Sequence, residues 1–242
     1  PGKNIVYKRN PNYWGWKRAV NRGMYNFDRI VIKYFKDPVV ALEGFKAGEF
    51  DFILENNSKQ WARDYHGDKF EKGIIKKEYL THKNGAGMQG WVFNLRRDKF
   101  KDKRVRQALS LAFDFEWSNK NLFHSQYVRS NSYFSNSEMA ATGKPSKEEL
   151  KLLEPFAKQL DPAVFETVNQ PPSTIAPNSI RKNLRKAMKL LKSAGWNVGK
   201  DRLLHNKGGQ TLKIDMLLAS AAFERVVAPY VANLKRLGIA VE

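Results

Sequence analysis

The chain has 242 residues, of which 43 are Lys or Arg and 24 are Asp or Glu, so its formal net charge is +19 at pH 7. It contains no cysteine, which excludes disulfides and thiolate chemistry, and it has no apolar run long enough to span a bilayer. Its hydrophobic content of 42% is ordinary for a globular protein, so one large or two small packed domains are expected.

The positive charge leaves several kinds of partner open. Nucleic acid, an anionic membrane surface and an acidic ligand would each be attracted to it. The basic residues are spread along the whole chain, which is also typical of a soluble protein with a basic, solvated surface. A basic nucleic-acid-binding protein therefore stays an alternative function, recognisable by tight and steeply salt-dependent binding to arbitrary strands.

The first part of the chain alternates strand and helix patterns. Residues 27–35 and 50–54 have the apolar alternation of strands. Between them, Asp37 is a good helix N-cap, Pro38 suits the first helical position, and Gly48 suits the residue after the helix. This order predicts a β-α-β unit with a right-handed crossover between parallel strands.

Polar residues follow the second of these strands. In open α/β sheets, ligands bind beyond the carboxyl ends of the strands, which makes Glu55, Asn57 and Trp61 candidate ligand-binding residues. The alternative is that the polar side chains only cap the helix predicted for residues 58–65. Both interpretations stay open. Residues 5–7 and 73–80 predict two more strands.

A glycine cluster, GAGMQG at residues 85–90, fits the G-x-G-x-x-G pattern of nucleotide-binding loops. A dinucleotide loop needs a helix that starts at the third glycine, whereas the aromatic and β-branched residues 91–93 predict a strand. A kinase glycine loop needs a strand lysine and catalytic motifs further on, and the sequence has none. A flexible backbone crossing is the interpretation we adopt, because glycine tolerates φ values that other residues resist.

Several amphipathic helices are predicted after the glycine cluster. Asp102 is a good N-cap for the first, and a second helix is expected at residues 117–123. Ser146 and Glu149 have the spacing of a capping box. Residues 181–194 form the most regular amphipathic pattern, with one apolar stripe and an otherwise basic surface.

The segment 124–137 has no regular periodicity and is predicted to be a loop. It carries amide, hydroxyl and aromatic side chains together with an arginine, which suits an adaptable polar pocket. An arginine there could form paired hydrogen bonds with a carboxylate or phosphate. We therefore name Arg129, Asn131, Tyr133 and Phe134 as candidate ligand-binding residues. A surface loop whose side chains are satisfied locally is the alternative.

Several segments resemble the extracellular solute-binding proteins of peptide ABC importers. Residues 94–114, with Asn94, FKDKRVRQAL and AFD, resemble the hinge and first helix of that family. YKRNPNYWG at residues 7–15 resembles its N-P-x-Y-W segment, and ALEGFKAGEFDF at residues 41–52 resembles another of its elements. Three further segments narrow the resemblance to the YejA-type subgroup: residues 131–138, 140–143 and 223–230.

The resemblance implies an α/β, two-lobed, periplasmic-binding-protein-like fold of type II, in the peptide-binding cluster. Residues 1–86 would be part of lobe I, residues 87–95 the hinge crossing, and residues 96–242 part of lobe II. Family members are much longer than this chain, so it is expected to be an incomplete, internal fragment that lacks the signal peptide.

The resemblance also implies that side chains near the crossing line the ligand cleft. Met88, Gln89, Phe93 and Asn94 are the candidates there.

The function implied by the resemblance is that of the periplasmic substrate-binding component of an ABC importer in a Gram-negative bacterium. It would bind oligopeptides or peptide-like compounds, close on them by hinge motion, and deliver them to the permease subunits. We expect a monomer with no cofactor or metal, no nucleic-acid partner and no membrane insertion. Enzymatic activity is not expected, because the four histidines stand alone and the sequence has no catalytic motif.

Overall fold

The computed structural model describes residues 2–166, 168 and 170–242. The chain divides into two compact units, Pro1–Glu78 (unit 1) and Tyr79–Glu242 (unit 2). No helix in the described part of the chain is both long and apolar enough to cross a membrane. The proline-rich sequence of residues 168–178 predicts a connector within a lobe, and Asn169 of this segment lies outside the described residues.

Unit 1 contains one pair of strands, β1 (Asn4–Lys8) and β2 (Arg29–Lys33). They run antiparallel, with Asn4 opposite Lys33 and Lys8 opposite Arg29. Both strands were predicted. The parallel β-α-β arrangement was not correct, because β2 pairs with the strand that precedes it in the chain.

The helices of unit 1 are α1 (Pro38–Ala47), α2 (Ser58–Arg63) and α3 (Asp68–Glu71), and a 3₁₀ turn covers Ala19–Asn21. Both predicted ends of α1 are confirmed. The Asp37 carboxylate accepts a hydrogen bond from the Val39 amide at 2.7 Å. Gly48 follows the helix with φ +87°, a conformation that costs glycine little.

Two predicted strands of unit 1 are absent. Residues 50–54 and 73–80 have no strand conformation in the described structure. Phe52 and Leu54 are 76% and 73% exposed, so no neighbouring strand covers them. A strand needs a hydrogen-bonded partner, and apolar alternation alone does not supply one.

The core of unit 2 forms where α5 (Lys103–Leu111) packs against α9 (Ile180–Ser193). The buried faces of α5 and α9 have the predicted helical periodicity. Residues from the C-terminal part of the chain pack into the same core. The fully or almost fully buried members of this core are Val105, Ala108, Leu109, Ala187, Leu191, Leu204, Leu212, Leu234, Leu237 and Ile239.

The C-terminal part of unit 2 contains short strands and one long helix. β3 (Asn197–Val198) pairs antiparallel with β4 (Leu204–His205), and β5 (Lys213–Ile214) pairs parallel with β6 (Ala240–Val241). α10 (Glu224–Arg236) lies between β5 and β6 in sequence, so these elements form a strand–helix–strand connection between two parallel strands.

The remaining helices of unit 2 are α4 (Asp98–Lys101), α6 (Phe115–Leu122), α7 (Lys147–Leu153) and α8 (Ala163–Glu166), with 3₁₀ turns at Glu154–Phe156 and Ala221–Phe223. The capping box at the start of α7 is confirmed. The Ser146 hydroxyl accepts from the Glu149 amide, and the Glu149 carboxylate accepts from the Ser146 amide.

The strand predicted for residues 91–93 is also absent. The side chains nevertheless alternate as they would in a strand. Trp91 and Phe93 pack against the core of unit 2, whereas Val92 is 96% exposed. These residues have no pairing strand in the described part of the chain.

All charged residues on the exposed surface of α9 are basic. The helix contains no acidic residue, and its apolar stripe is buried as predicted. The exposed cations of this surface are Arg181, Lys182, Arg185, Lys186, Lys189 and Lys192.

A histidine next to β3 and β4 leads to a prediction on pH. The His205 Nε2 atom lies 3.0 Å from both carboxylate oxygens of Asp201, and this hydrogen bond raises the pKa of His205 above its ordinary value of about 6.5. A raised folded-state pKa stabilises the fold below the unfolded-state pKa, and the stabilisation is lost as pH rises through the folded-state value. We expect the unfolding midpoint in urea to decrease as the pH rises above about 6.5, the ordinary pKa of histidine.

The matched variant is Asp201→Asn, which removes the carboxylate. Its His205 ring, followed by NMR, should titrate at a lower pH than in the unmodified protein. Equal titration midpoints in the two proteins would contradict the assignment.

Candidate ligand-binding site

The densest polar cluster in unit 2 surrounds the start of α6. Asp114 caps this helix by accepting from the Trp117 amide at 3.0 Å. Two residues that are distant in sequence complete the cluster: Ser173 and Thr174 donate hydrogen bonds to Glu116. The Ser173 hydroxyl lies 2.7 Å from one Glu116 oxygen, and the Thr174 amide and hydroxyl lie 3.1 and 2.9 Å from the other.

These hydrogen bonds determine the charge of Glu116. Partial burial acts to raise the pKa of this carboxyl group, but the donors on Ser173 and Thr174 outweigh it and hold the pKa below its ordinary value. Glu116 is therefore ionised at neutral pH. The buried amide of Asn183 donates to the Ser173 carbonyl at 3.0 Å, which fixes the segment that carries the donors.

Arg129 lies beside this cluster and close to two aromatic rings. Its guanidinium carbon is 5.0 Å from the ring centre of Phe113 and 5.4 Å from that of Phe115, within the range of cation–π attraction. The side chain is partly buried. Burial lowers the pKa of Arg129, and the negative charge of Glu116 opposes that effect.

Tyr230 connects this region to the core. Its hydroxyl donates to the Leu109 carbonyl at 3.1 Å, and burial raises its pKa well above the ordinary range. The ring of Trp91 stacks on Tyr230 at 5.6 Å, and Phe113 meets the same ring edge-on at 5.6 Å. Ring contacts therefore run without a gap from Trp91 through Tyr230 and Phe113 to Arg129.

The loop 124–137 is also tied to the segment just before the glycine cluster. The Ala86 amide donates to the Ser135 carbonyl at 2.7 Å. The Asn136 side chain donates to the carbonyls of His82 and Asn84 at 2.9 and 2.8 Å. Asn136 has φ +62°, a conformation that asparagine adopts more readily than most residues.

Residues 1–242 match the model of the bacterial extracellular solute-binding proteins, family 5, middle region. The chain belongs to this family. It is 43% identical over 238 residues to the uncharacterized protein YejA of Escherichia coli K12, covering 98% of this chain and 39% of that protein. It is 39% identical over 241 residues to the probable peptide-binding protein YejA of Agrobacterium fabrum, covering 99% of this chain and 39% of that protein.

Solved structures agree on the fold. The oligopeptide-binding protein AppA from Bacillus subtilis, solved in complex with a nonapeptide, superposes with a TM-score of 0.59 at 17% identity. The match covers all of this chain and 39% of AppA. The chain thus has the α/β fold of the type II peptide-binding receptors, as predicted, and spans about two fifths of the length of the relatives it matches.

In unit 1 of this solute-binding protein, the predicted ligand residues form one local cluster. The Glu55 carboxylate accepts from the Asn57 amide at 2.5 Å and from the Tyr65 hydroxyl at 3.0 Å. Asn57 caps α2 by accepting from the Lys59 and Gln60 amides. The strand that suggested these residues is absent, and their polar groups have partners, so their role in ligand binding stays a prediction.

Trp61 belongs to the same cluster. The Lys77 ammonium lies 4.4 Å from the centre of its ring and donates to its carbonyl, while the Tyr65 ring lies 5.8 Å away. The indole is partly exposed. A cation is therefore already placed over the ring that was predicted to face a ligand.

The candidates near the glycine cluster are not gathered around one point. Met88, Gln89 and Asn94 are exposed, and Phe93 packs on the core with its ring 5.3 Å from that of Phe100. The Asn94 side chain accepts from the Arg96 amide at 3.1 Å and shapes the turn before α4. Their role as ligand residues stays a prediction.

The candidates on the loop 124–137 differ in environment. Asn131, Tyr133 and Phe134 are exposed, with Tyr133 81% and Phe134 51% accessible. Arg129 alone among the four is held by packing on both sides of its charged group. These four residues stay predictions as ligand contacts, and Arg129 has the environment most unlike that of a freely solvated side chain.

Sequence reasoning missed the cluster around Glu116. The residues it needs, Ser173 and Thr174, lie 57 and 58 positions away in sequence. Asp114 and Glu116 were visible at the predicted start of a helix, but no local pattern indicated their distant donors. Tyr230 entered the sequence analysis only as part of segment 223–230, which carries the family resemblance.

A charge-removing variant tests the cluster. We expect Glu116→Gln to lower the free energy of unfolding by about 1–2 kcal/mol, because an amide nitrogen replaces one of the two accepting oxygens. A lowered folded-state pKa stabilises the fold above the unfolded-state value of about 4.3, and this is lost as pH falls through the folded-state pKa. Urea unfolding should therefore show that Glu116→Gln is less stable than the unmodified protein at pH 7, and that this difference in unfolding free energy decreases at acidic pH.

Glu138→Gln is the matched control for that variant. Glu138 is exposed and forms no hydrogen bond or ion pair with any described residue. Its replacement should change the unfolding free energy by less than about 0.5 kcal/mol. A Glu116 variant that behaves like this control would show that the cluster contributes nothing to stability.

Proposed function

We propose that this protein is the substrate-binding component of an ABC importer and that it binds oligopeptides or peptide-like compounds. The observation that carries the proposal is the family match over all 242 residues. The 39% identity to a relative named as a probable peptide-binding protein supports the ligand class. The protein works in the periplasm as a monomer, without enzymatic activity, and passes its cargo to permease subunits. Hinge closure of two lobes on the ligand belongs to the same proposal.

The test uses the full-length protein purified without added ligand. Denaturation and mass spectrometry should release co-purified peptides. A synthetic pool of tri- to pentapeptides should raise the melting temperature of protein freed from them, because a ligand at about 100 times its Kd stabilises the folded state by about 2.7 kcal/mol. No shift with any peptide of the pool would contradict the proposal.

A DNA-binding experiment tests the alternative function of a nucleic-acid-binding protein, which the charge of +19 suggests. A random-sequence DNA duplex should bind only weakly at about 150 mM salt, and any binding should fall steeply with further salt. Duplex binding tighter than peptide binding under these conditions would favour the nucleic-acid function instead.

A further inference from the structure

The guanidinium of Arg129 is an unused donor group. It forms no hydrogen bond or ion pair with any described residue, although it is partly buried and has five N–H donors. The rings of Phe113 and Phe115 hold its position but accept none of those bonds. No fully buried side-chain nitrogen or oxygen among the described residues lacks a partner, so the free N–H groups of Arg129 face solvent, where an acceptor on a ligand can reach them.

The nearest carboxylate does not fill this role. Glu116 is close enough to raise the pKa of Arg129, yet no ion pair forms between them. Both Glu116 oxygens are already engaged by Ser173 and Thr174. Glu116 therefore offsets part of the arginine charge from a distance and leaves the donors free for another acceptor.

The position of Arg129 in unit 2 is suited to a ligand held near the predicted crossing. Ring contacts link it through Phe113 and Tyr230 to Trp91, which follows the glycine cluster directly. The loop that carries Arg129 also holds residues 82–86 through Ser135 and Asn136. The arginine thus belongs to the same packed region as the segments on either side of the glycines.

We propose that Arg129 binds a carboxylate of the cargo through paired N–H···O bonds. The inference rests on the proposed function and names the chemistry that the site recognises. The guanidinium is planar, and its two parallel donors match the two oxygens of a carboxylate. Cation–π contacts with Phe113 and Phe115 hold the guanidinium near one position before the ligand arrives, which reduces the entropy lost on binding. Either the C-terminal carboxylate of a peptide or an acidic side chain provides the acceptor.

The experiment measures binding by calorimetry on the full-length protein with three sets of tri- to pentapeptides. One set has free C-terminal carboxylates and no acidic side chain, the second has the same sequences with C-terminal amides, and the third has amidated C-termini and one Glu. We expect the unmodified protein to prefer the first or the third set over the second by roughly 10- to 100-fold, the size of a lost charged hydrogen bond. Whichever set is preferred identifies the source of the carboxylate.

Two variants of Arg129 separate charge from geometry. Arg129→Met keeps an apolar chain between the rings and should abolish the preference among the sets. Arg129→Lys keeps the charge but not the paired donors, and should retain only a small part of the preference. Arg129→Met also removes the cation–π contacts with Phe113 and Phe115, so the melting temperature of each ligand-free variant is measured as well. A purely structural arginine would lower the melting temperature when replaced and leave the preference among the sets unchanged.

Arg181→Met is the control, since it removes the same charge from an exposed position on α9. It should leave the preference unchanged. If the unmodified protein and Arg129→Met showed the same preference among the peptide sets, the inference would be overturned while the proposed function stood. Peptide binding absent from the unmodified protein would overturn both, so the two failures are distinguishable.

Discussion

Replacing Leu109 with alanine is expected to produce the largest loss of stability among single core substitutions in unit 2. Leu109 is fully buried where α5 packs against α9, in contact with the core that includes Leu184 and Leu191. Truncation removes apolar burial and leaves a cavity that close-packed neighbours fill only in part. We expect the unfolding free energy to fall by about 3–5 kcal/mol.

Urea unfolding, followed by tryptophan fluorescence, measures this change, and the melting temperature should fall by roughly 6–15 °C. Leu217→Ala is the matched control, because Leu217 is 99% exposed. That variant should stay within about 0.5 kcal/mol of the unmodified protein. If Leu109→Ala were as stable as Leu217→Ala, the assignment of Leu109 to the core would be wrong.

Replacing Gly238 with alanine is expected to cost about 2–4 kcal/mol of unfolding free energy, from two separate causes. Gly238 has φ +79°, in the left-handed region that disfavours a side chain. An added Cβ would also lie 2.7 Å from the Arg202 carbonyl oxygen and 3.4 Å from the Leu204 nitrogen. Backbone atoms cannot rotate away, so the chain after α10 would have to shift.

Gly209→Ala separates the two causes. Gly209 has a similar φ of +76°, but nothing lies within 4 Å of the position of its Cβ. This variant should lose only the conformational cost, about 1–2 kcal/mol. Chemical denaturation of both variants should therefore place Gly238→Ala clearly below Gly209→Ala in stability. Equal losses would mean that the close approach to Arg202 does not constrain the fold.

Helices were predictable from sequence where their signals are local. Asp37, Pro38 and Gly48 mark both ends of α1, and Ser146 with Glu149 marks the start of α7. Each of these signals acts through hydrogen bonds within a few residues, so the sequence pattern already contains the whole interaction.

Strands were predicted less well, because a strand depends on a partner elsewhere in the chain. Residues 50–54, 73–80 and 91–93 have strand-like composition but no pairing strand in the described structure. The same limit applies to the site. Arg129 was recognised as a candidate by its residue type, whereas its packing between Phe113 and Phe115 follows from tertiary contacts that no local pattern contains.

The bonds from Ser135 and Asn136 to residues 82–86 have a mechanical consequence. The two bonds from Asn136 span 54 and 52 positions of sequence, at the place where the backbone enters the glycine cluster. Tyr133 and Phe134 directly precede Ser135 and Asn136 in the chain. Because the hydrogen bonds join the loop to residues 82–86, we expect the two segments to shift together when either is displaced.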